Sequence, residues 1–381
     1  MKFCTNCLLP NTKPDLTFSD SGICSACTAF SDRAKIDWIA RQDEFSDLLK
    51  QHKGKSDWDC IVPVSGGKDS TAQVVKIMEL GLNPLCVNSR TCDLTPLGRA
   101  NLENIRKLGA DLVEYAPDLM VRRRLNRIGL ETVGDISWPE HVGIFTIPVR
   151  AAVDFNVPMI VWGENSQNEY GGPAANQHNP ILDRRWLEEF GGLLGLRLSD
   201  LVDDYGFSRR QLSFYCYPED EALKKVGVTG LFLGHFFPWD GFTNQEIARQ
   251  NGFSTYESLV EGSCVDYENL DNYQTGIHDY FKYLKFGFSR TSDISSLHVR
   301  RGRISRNDAL KIVKELDGRY PKSYLGKRLE AILEEIDMNL KEFDIICNQF
   351  TNSRIFALDE NDQLVRRPDG SPLLRYFDSP K

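Results

Sequence analysis

The chain has 381 residues, a formal charge of −8, 41% hydrophobic and 26% charged residues. This is an ordinary globular composition with length for about two to three domains, and its acidity argues against a broad non-specific nucleic-acid surface. Met1-Lys2-Phe3-Cys4 lacks an apolar leader and no uninterrupted apolar run reaches membrane-spanning length, so a cytoplasmic protein without a membrane partner is expected. Four of the ten cysteines form two Cys-x2-Cys pairs, which suits a metal in a reducing compartment better than a disulfide framework.

In chain order, Cys4-x2-Cys7 and Cys24-x2-Cys27 come first, separated by a polar loop with Pro10, Pro14 and Gly22. Two such knuckles can share one tetrahedral ion, and Zn2+ is the expected occupant. Four thiolates leave no open position for water, so the expected role is in folding. Ala29–Gln51 then carries Ile36, Trp38, Ile39, Phe45, Leu48 and Leu49 at roughly helical intervals, until His52-Lys53-Gly54-Lys55-Ser56 breaks the pattern. Residues 1–54 therefore read as a zinc-binding segment and a helix.

Residues 55–242 alternate short apolar runs with helical patterns, the mark of an α/β parallel sheet with helices on both faces. Strands are expected near Cys60–Val64, Pro84–Asn88, Asp111–Tyr115 and Pro158–Trp162, with helices near Ser70–Leu80, Pro96–Leu108, Asp118–Arg127 and His141–Phe155. Ligands of such a sheet lie beyond the carboxyl ends of its strands, which gathers Ser65–Ser70, Asn88–Asp93, Tyr115–Asp118 and Gly163–Gly172 around one crevice.

The first of these turns, Ser65-Gly66-Gly67-Lys68-Asp69-Ser70, reads as a phosphate cradle. Backbone N–H groups at a helix start converge there, the glycines leave no Cβ in the way, and Lys68 adds a point charge. Asp69 could hold a metal bound to that phosphate. The spacing is not that of the Walker loop. Pro63 sits poorly in a central strand because it cannot donate to the ladder. Asn88 and Ser89 are candidates for the nucleoside or simply strand ends, Arg122-Arg123-Arg124 with Arg127 read as a solvated helix face in preference to a phosphate clamp, and Cys60 and Cys86 as core. In the polar loop after Val161-Trp162, Glu164 and Glu169 can complete a Mg2+ shell or act as bases. Asn165 can orient an amide, and Tyr170 shares its ligand-facing position.

Residues 173–206 read as an insertion of undefined fold. Leu231–Gly241 reads as a buried strand ending in a turn, where His235 and Asp240 could contact ligand or be structural. Residues 243–381 form a mainly helical substrate and partner region. Within it Asp266–Asn272 and Ile277–Arg290 interleave aromatics with Asp279, Lys282 and Arg290, which fits either a sugar or nucleoside face or an amphipathic helix. Ser305 is expected to cap a helix at Ala309–Leu316, Leu325–Phe343 to form one long helix, and Ile355–Phe377 a terminal hairpin.

Ser65–Ser70 resembles the Ser-Gly-Gly-x-Asp-Ser pyrophosphate loop, or PP-loop, of the ATP pyrophosphatase family, which includes GMP synthetase, NAD synthetase and tRNA-thiolating enzymes. Taken with the Cys-x2-Cys pairs, Gly163-Glu164-Asn165, Glu169-Tyr170-Gly171, Asp266–Asn272, Ile277-His278-Asp279-Tyr280 and Lys285–Phe288, the chain is similar over most of its length to the N-acetyl sugar amidotransferases of bacterial surface-glycan synthesis. That group is associated with O-antigen and pseudaminic or legionaminic acid pathways. The resemblance implies conversion of a sugar acetamido group to acetamidino: ATP adenylates the amide oxygen, ammonia attacks, and AMP leaves after pyrophosphate.

It further implies ATP, Mg2+ and structural Zn2+ as cofactors, with an N-acetylated sugar or nucleotide sugar as substrate. Ammonia would come from a separate glutaminase through a cyclase-like subunit, because residue 2 is Lys and no cysteine sits in a nucleophile elbow. The catalytic residues expected are Lys68, Asp69 and Glu164. Ser65, Gly66, Gly67, Lys68, Asp69, Ser70 and Asn88 would hold the nucleotide, and Asn165, Glu169, Tyr170, His235, Asp279 and Lys282 the sugar. Two rivals stand beside this: a tRNA-thiolating enzyme, for which Cys216 and Cys264 are the candidate thiols, and a non-catalytic nucleotide-binding scaffold. Oligomeric state is left open.

Overall fold

Each of the first four expected strands forms, because short apolar runs between helical patterns have both faces to bury. The structure, a computed structural model, describes residues 1–164, 181–182 and 194–375. Its main sheet contains β1 (Cys60–Pro63), β2 (Pro84–Ser89), β3 (Asp111–Tyr115), β4 (Met159–Trp162), β5 (Ile181–Leu182) and β6 (Thr229–Phe232) in the order β3-β2-β1-β4-β6-β5. Five strands run parallel, and β5 alone is antiparallel, against β6. Chain order reverses at β1, with β2 on one side and β4 on the other, so the carboxyl end of β1 is a switch point where a crevice opens. Pro63 is tolerated because it is the last residue of β1.

Side-chain alternation along β1 assigns the two faces. Cys60, Val62 and Val64 point into a core with Phe45, Val74, Ile77, Leu102 and Phe236, whereas Ile61 joins Val87, Ile147, Ala151 and Trp162 on the other side. The first core carries helices Trp38–His52 and Lys68–Glu79; the second carries Trp138–Asp154. A third core, around Phe281, Tyr283, Phe343 and Phe356, belongs to the C-terminal half and reaches back to Leu130 and Ile136.

Local chemistry changes four of the expected elements. Ala29–Gln51 is two helices, Ser25–Asp32 and Trp38–His52, because Asp37 turns extended and accepts the N–H groups of Ile39 and Ala40. Leu325–Phe343 is not one helix. Leu325 and Gly326 adopt positive φ in a tight hairpin between Ser323–Tyr324 and Lys327–Arg328, helix Leu329–Glu334 follows, Asp337 turns left-handed, and an Asn339/Glu342 capping box starts Leu340–Phe350. After β6 the chain enters the short helix Leu233–Phe236 rather than a turn. Ser305 caps helix Arg306–Leu316 through the N–H of Asp308. The expected terminal hairpin is a set of isolated bridges, Phe356 to Leu374, Leu358 to Leu364 and Arg366 to Pro372. No helix among the described residues is long and apolar enough to cross a membrane.

Two outcomes follow from these cores. Phe45 is fully buried with its ring 4.9 Å from Phe236 and 5.6 Å from Phe237. Phe45→Ala is expected to cost about 3–5 kcal/mol of unfolding free energy, read from a denaturant titration. In the C-terminal half, burial pushes the Asp317 carboxyl up to about 6 despite hydrogen bonds from Ser292 Oγ at 2.6 Å and the Ser289 N–H at 2.8 Å. The folded chain thus keeps a proton that the unfolded chain releases near pH 4. Below pH 4 this group has no pH-dependent effect, and between about pH 4 and 6 stability falls by roughly 2–3 kcal/mol relative to Asp317→Asn. Urea titrations of both proteins across that window check it.

Candidate active site and zinc centre

Past Val64 the chain leaves the sheet and re-enters a helix within a few residues, and the geometry of that turn depends on Gly66. Its φ of +83° lies in the left-handed region, and a Cβ there would stand 2.6 Å from the backbone nitrogen of Leu102. Ser65 Oγ accepts the Gly67 N–H at 3.2 Å, and Ser70 Oγ donates to the Gly67 carbonyl at 3.0 Å. Gly67 caps helix Lys68–Glu79 without a side chain, which leaves the first-turn amides to an incoming anion.

Lys68 is 5% exposed, with Nζ 2.5 Å from Asp69 Oδ2 and 2.7 Å from Glu268 Oε1. Burial works against its charge, but Asp69 and Glu268 outweigh it and hold the ammonium above its ordinary pKa. Asp69 keeps its second oxygen on Asn244 Nδ2 at 2.8 Å. Asn88 Nδ2 donates to the Val64 carbonyl at 2.7 Å, tying the end of β2 to the mouth of the turn.

The cradle is closed from above by the C-terminal half. A notch of about 100 Å³ lies between Ser65–Ser70 and Tyr267–Asp271. At Gly98 a Cβ would meet the Asp271 backbone at 2.5 Å, and the Thr95 N–H donates to the Asp271 carbonyl at 3.1 Å. A larger cavity of about 450 Å³ continues from the notch. Ser65, Asp69, Ser70, Asn88 and Glu164 form its sheet side, and Asn269, Asp271, Asn272, His278 and Arg290 its C-terminal side. Burial pushes the Asp271 carboxyl up to about 6.

One wall carries a group that sequence reading did not single out. Asp135 is buried, and its two oxygens take the Nδ1 atoms of His278 at 2.8 Å and His141 at 2.9 Å; Oδ1 also accepts the Ser137 N–H at 2.9 Å. Burial would raise the Asp135 carboxyl, but the two imidazoles hold it well below its usual range. For His141 burial favours the neutral ring, and Asp135 reverses this and raises its pKa. The rings meet edge to face, with centroids 5.1 Å apart. His278 lies inside a segment quoted above for its resemblance, whereas nothing in the periodicity around Asp135 and His141 marks them.

The other expected site residues fall in three groups. Lys68, Asp69, Glu164 and Asn88 stand together around the notch and cavity. Asn165, Glu169 and Tyr170 lie outside the described residues. His235, Asp279 and Lys282 do not line the 450 Å³ cavity. His235 is buried against Arg41 and the Phe236 ring. Asp279 grips Arg290 through both oxygens at 3.0 and 3.2 Å, and so positions a residue that does reach the cavity. Lys282 pairs with Asp293 over the Phe288 ring, and Asp240 with Arg301 and Arg303.

Arg122 is not a solvated arginine. It is 2% exposed, with bonds to the Arg90 and Pro139 carbonyls and Tyr215 Oη and an ion pair to Glu140, so it anchors the wall behind the cavity.

The four cysteine sulfurs converge. Cys4, Cys7, Cys24 and Cys27 are buried with their Sγ atoms within 4.8 Å of one another. N–H groups of Cys7, Leu9 and Cys24 point at sulfur, as does Asn6 Nδ2. Four sulfurs, each within reach of one centre and supported by N–H donors, fit a tetrahedral zinc ion. The knuckle is docked on the C-terminal half: Arg306 donates to the Cys4 and Cys7 carbonyls, and Leu8 packs on Ala309 and Val313.

A family model described as LPS biosynthesis protein WbpG-like, C-terminal domain, matches residues 251–368. This match supports a glycan-biosynthesis family for the chain and, with it, an enzyme. The matched span includes Tyr267–Asp271, His278 and Arg290, the side of the cavity that faces the cradle. No curated protein matches the chain.

Cys24→Ser is expected to lower bound zinc from about one ion per chain to a small fraction and to lower the melting temperature, checked by metal analysis and thermal unfolding. Gly66→Ala forces a strained φ and a backbone clash. It is expected to lower the melting temperature while zinc content stays unchanged, checked by thermal unfolding and metal analysis.

Proposed function

We propose that the chain is an ATP-dependent amidotransferase with the PP-loop pyrophosphatase fold, acting on an N-acetylated sugar or nucleotide sugar in surface-glycan synthesis. The observation that carries this reading is the continuity of two features. A glycine turn whose free helix-start amides suit phosphate opens directly into a cavity whose opposite side comes from the span matched to a lipopolysaccharide-biosynthesis domain. Nucleotide and glycan chemistry would then share one space.

In this reading the amides of Lys68–Ser70 and the Lys68 ammonium take the β and γ phosphates, and charge developing on pyrophosphate is met by groups already in position. Mg2+ would supply neutralisation of phosphate charge, and Asp69 with Glu164, which line the same cavity, would hold it. The acetamido oxygen attacks the α phosphorus and pyrophosphate departs. Ammonia from a separate glutaminase, delivered through a cyclase-like subunit, then displaces AMP from the imidate carbon and leaves an acetamidino group. Zinc stays in the folding role. Residues 55–242 would form the nucleotide domain and 243–381 the sugar and partner region, with 1–54 as the zinc segment.

The thiolation rival has little support, because no cysteine lines the cavity among the described residues. Burial also pushes the Cys264 thiol up to about 11 and raises that of Cys216, which disfavours the thiolate a sulfur carrier needs.

The test is AMP and pyrophosphate release from ATP with ammonium chloride and a panel of N-acetylated sugars and nucleotide sugars. Sugar-dependent AMP with a loss of about one dalton in the sugar is expected. AMP release only with tRNA would favour thiolation, and no cleavage under any condition a scaffold. Lys68→Ala and Asp69→Asn are each expected to lower the AMP-forming rate by about 10²–10³-fold with zinc content unchanged.

A further inference from the structure

We infer that His141 and His278, held by Asp135, form the proton-accepting pair for the nitrogen nucleophile. This rests on the amidotransferase reading above. Three observations point to it, beginning with the state of the ring nitrogens. Both Nδ1 atoms are committed to the same buried carboxylate, at 2.9 and 2.8 Å, so Asp135 fixes the tautomer and orientation of both imidazoles. Nε2 of each ring is left as the acceptor and has no hydrogen-bond partner among the described residues.

The second is location. Both rings line the 450 Å³ cavity that holds Ser65, Asp69 and Glu164, while Asp135 stays 2% exposed behind them. The third is origin. His141 comes from helix Trp138–Asp154 under the sheet and His278 from helix Thr275–Phe286 of the C-terminal half, so the pair forms only when those two halves close on one another. A histidine kept merely for packing does not need a buried carboxylate behind it and an open nitrogen in front.

The chemistry of the step calls for such a group. Attack of the acetamido oxygen on the α phosphorus expels pyrophosphate with the P–O electron pair and leaves a cationic imidate bearing AMP. The lone pair of ammonia forms the new C–N bond, which puts a positive charge on the incoming nitrogen. That nitrogen cannot supply electrons to expel AMP until it loses a proton. Nε2 takes the proton, the freed pair forms the C=N bond, the C–O bond breaks, and AMP departs with its electrons. The products are an acetamidinium, AMP and a histidinium that releases its proton to water. Two rings on one carboxylate give the proton an acceptor while Asp135 balances the charge.

The experiment separates the two half-reactions. Adenylation needs no ammonia and is read as sugar-dependent exchange of labelled pyrophosphate into ATP; the second step is read as acetamidino sugar formed. His141→Gln and His278→Gln are each expected to keep exchange within about threefold of the parent and to lose about 10²–10⁴-fold in ammonia-dependent product. Retained exchange also certifies the fold, and added imidazole is expected to restore part of the product rate in His278→Ala.

Parent-like product formation in both variants overturns the inference, as does equal loss of exchange and product, which would make the pair structural. A second zinc equivalent lost in His278→Gln would also overturn it by making the cluster a metal centre. If the parent protein itself shows neither exchange nor product with any sugar, the amidotransferase reading fails, and that outcome is distinct from a failure of the pair alone.

Discussion

Lys68 has to keep its charge in a place that water barely reaches. An ammonium 5% exposed is tolerable only with anionic partners, and it has two from different parts of the chain, Asp69 beside it and Glu268 from the C-terminal half. The glycine turn after β1 is therefore not free-standing. Its lysine, its neighbouring notch and the larger cavity all depend on the C-terminal half being in place. The same dependence recurs at Gly98, where the Asp271 backbone leaves no room for a side chain, and at Asp135, which binds one histidine from each side. The four-cysteine knuckle extends the pattern, since its carbonyls are held by Arg306 and its Leu8 packs on the C-terminal helices.

In the proposed reaction an adenine nucleotide, a sugar amide and ammonia would meet in a site made in this way. The sheet contributes amides and a switch point, which are insensitive to which sugar is used. The C-terminal half contributes Asn269, Asp271, Asn272 and Arg290, the part of the wall where substrate selection would reside. The family match falls on that half, from 251 to 368, and its description speaks of lipopolysaccharide biosynthesis. Cradle and glycan-associated wall thus come from different stretches of sequence and meet in one cavity.

Much of the sheet was legible because its signals are local. Pro84, Asp111 and Trp162 bound their strands where the apolar runs begin or end, and the glycines of Ser65–Ser70 mark the turn from β1 into helix Lys68–Glu79. The four cysteines were legible for the same reason. What was not legible depends on partners distant in sequence. Arg122 looks solvated in a run of arginines, yet the Arg90 carbonyl, Glu140 and Tyr215 bury it. Asp135 and His141 carry no motif, and their meaning appears only when His278 arrives from 143 residues downstream of Asp135. Asp279 and Lys282 were expected to hold the sugar, but their charges serve Arg290 and Asp293 and neither lines the cavity. The break in Leu325–Phe343 rests on left-handed backbone at Leu325, Gly326 and Asp337, which an apolar period conceals.

The central claim is that the sugar's own amide oxygen is adenylated in the cavity beyond the cradle. It is tested most directly by supplying an N-acetylated sugar labelled with heavy oxygen in the acetyl carbonyl, together with ATP and ammonium chloride, and examining the AMP by mass spectrometry. The expected result is heavy oxygen in the phosphate of AMP, formed in step with the acetamidino sugar. AMP that carries only ordinary oxygen while the labelled sugar is consumed, or labelled sugar recovered intact under every condition that cleaves ATP, would contradict it.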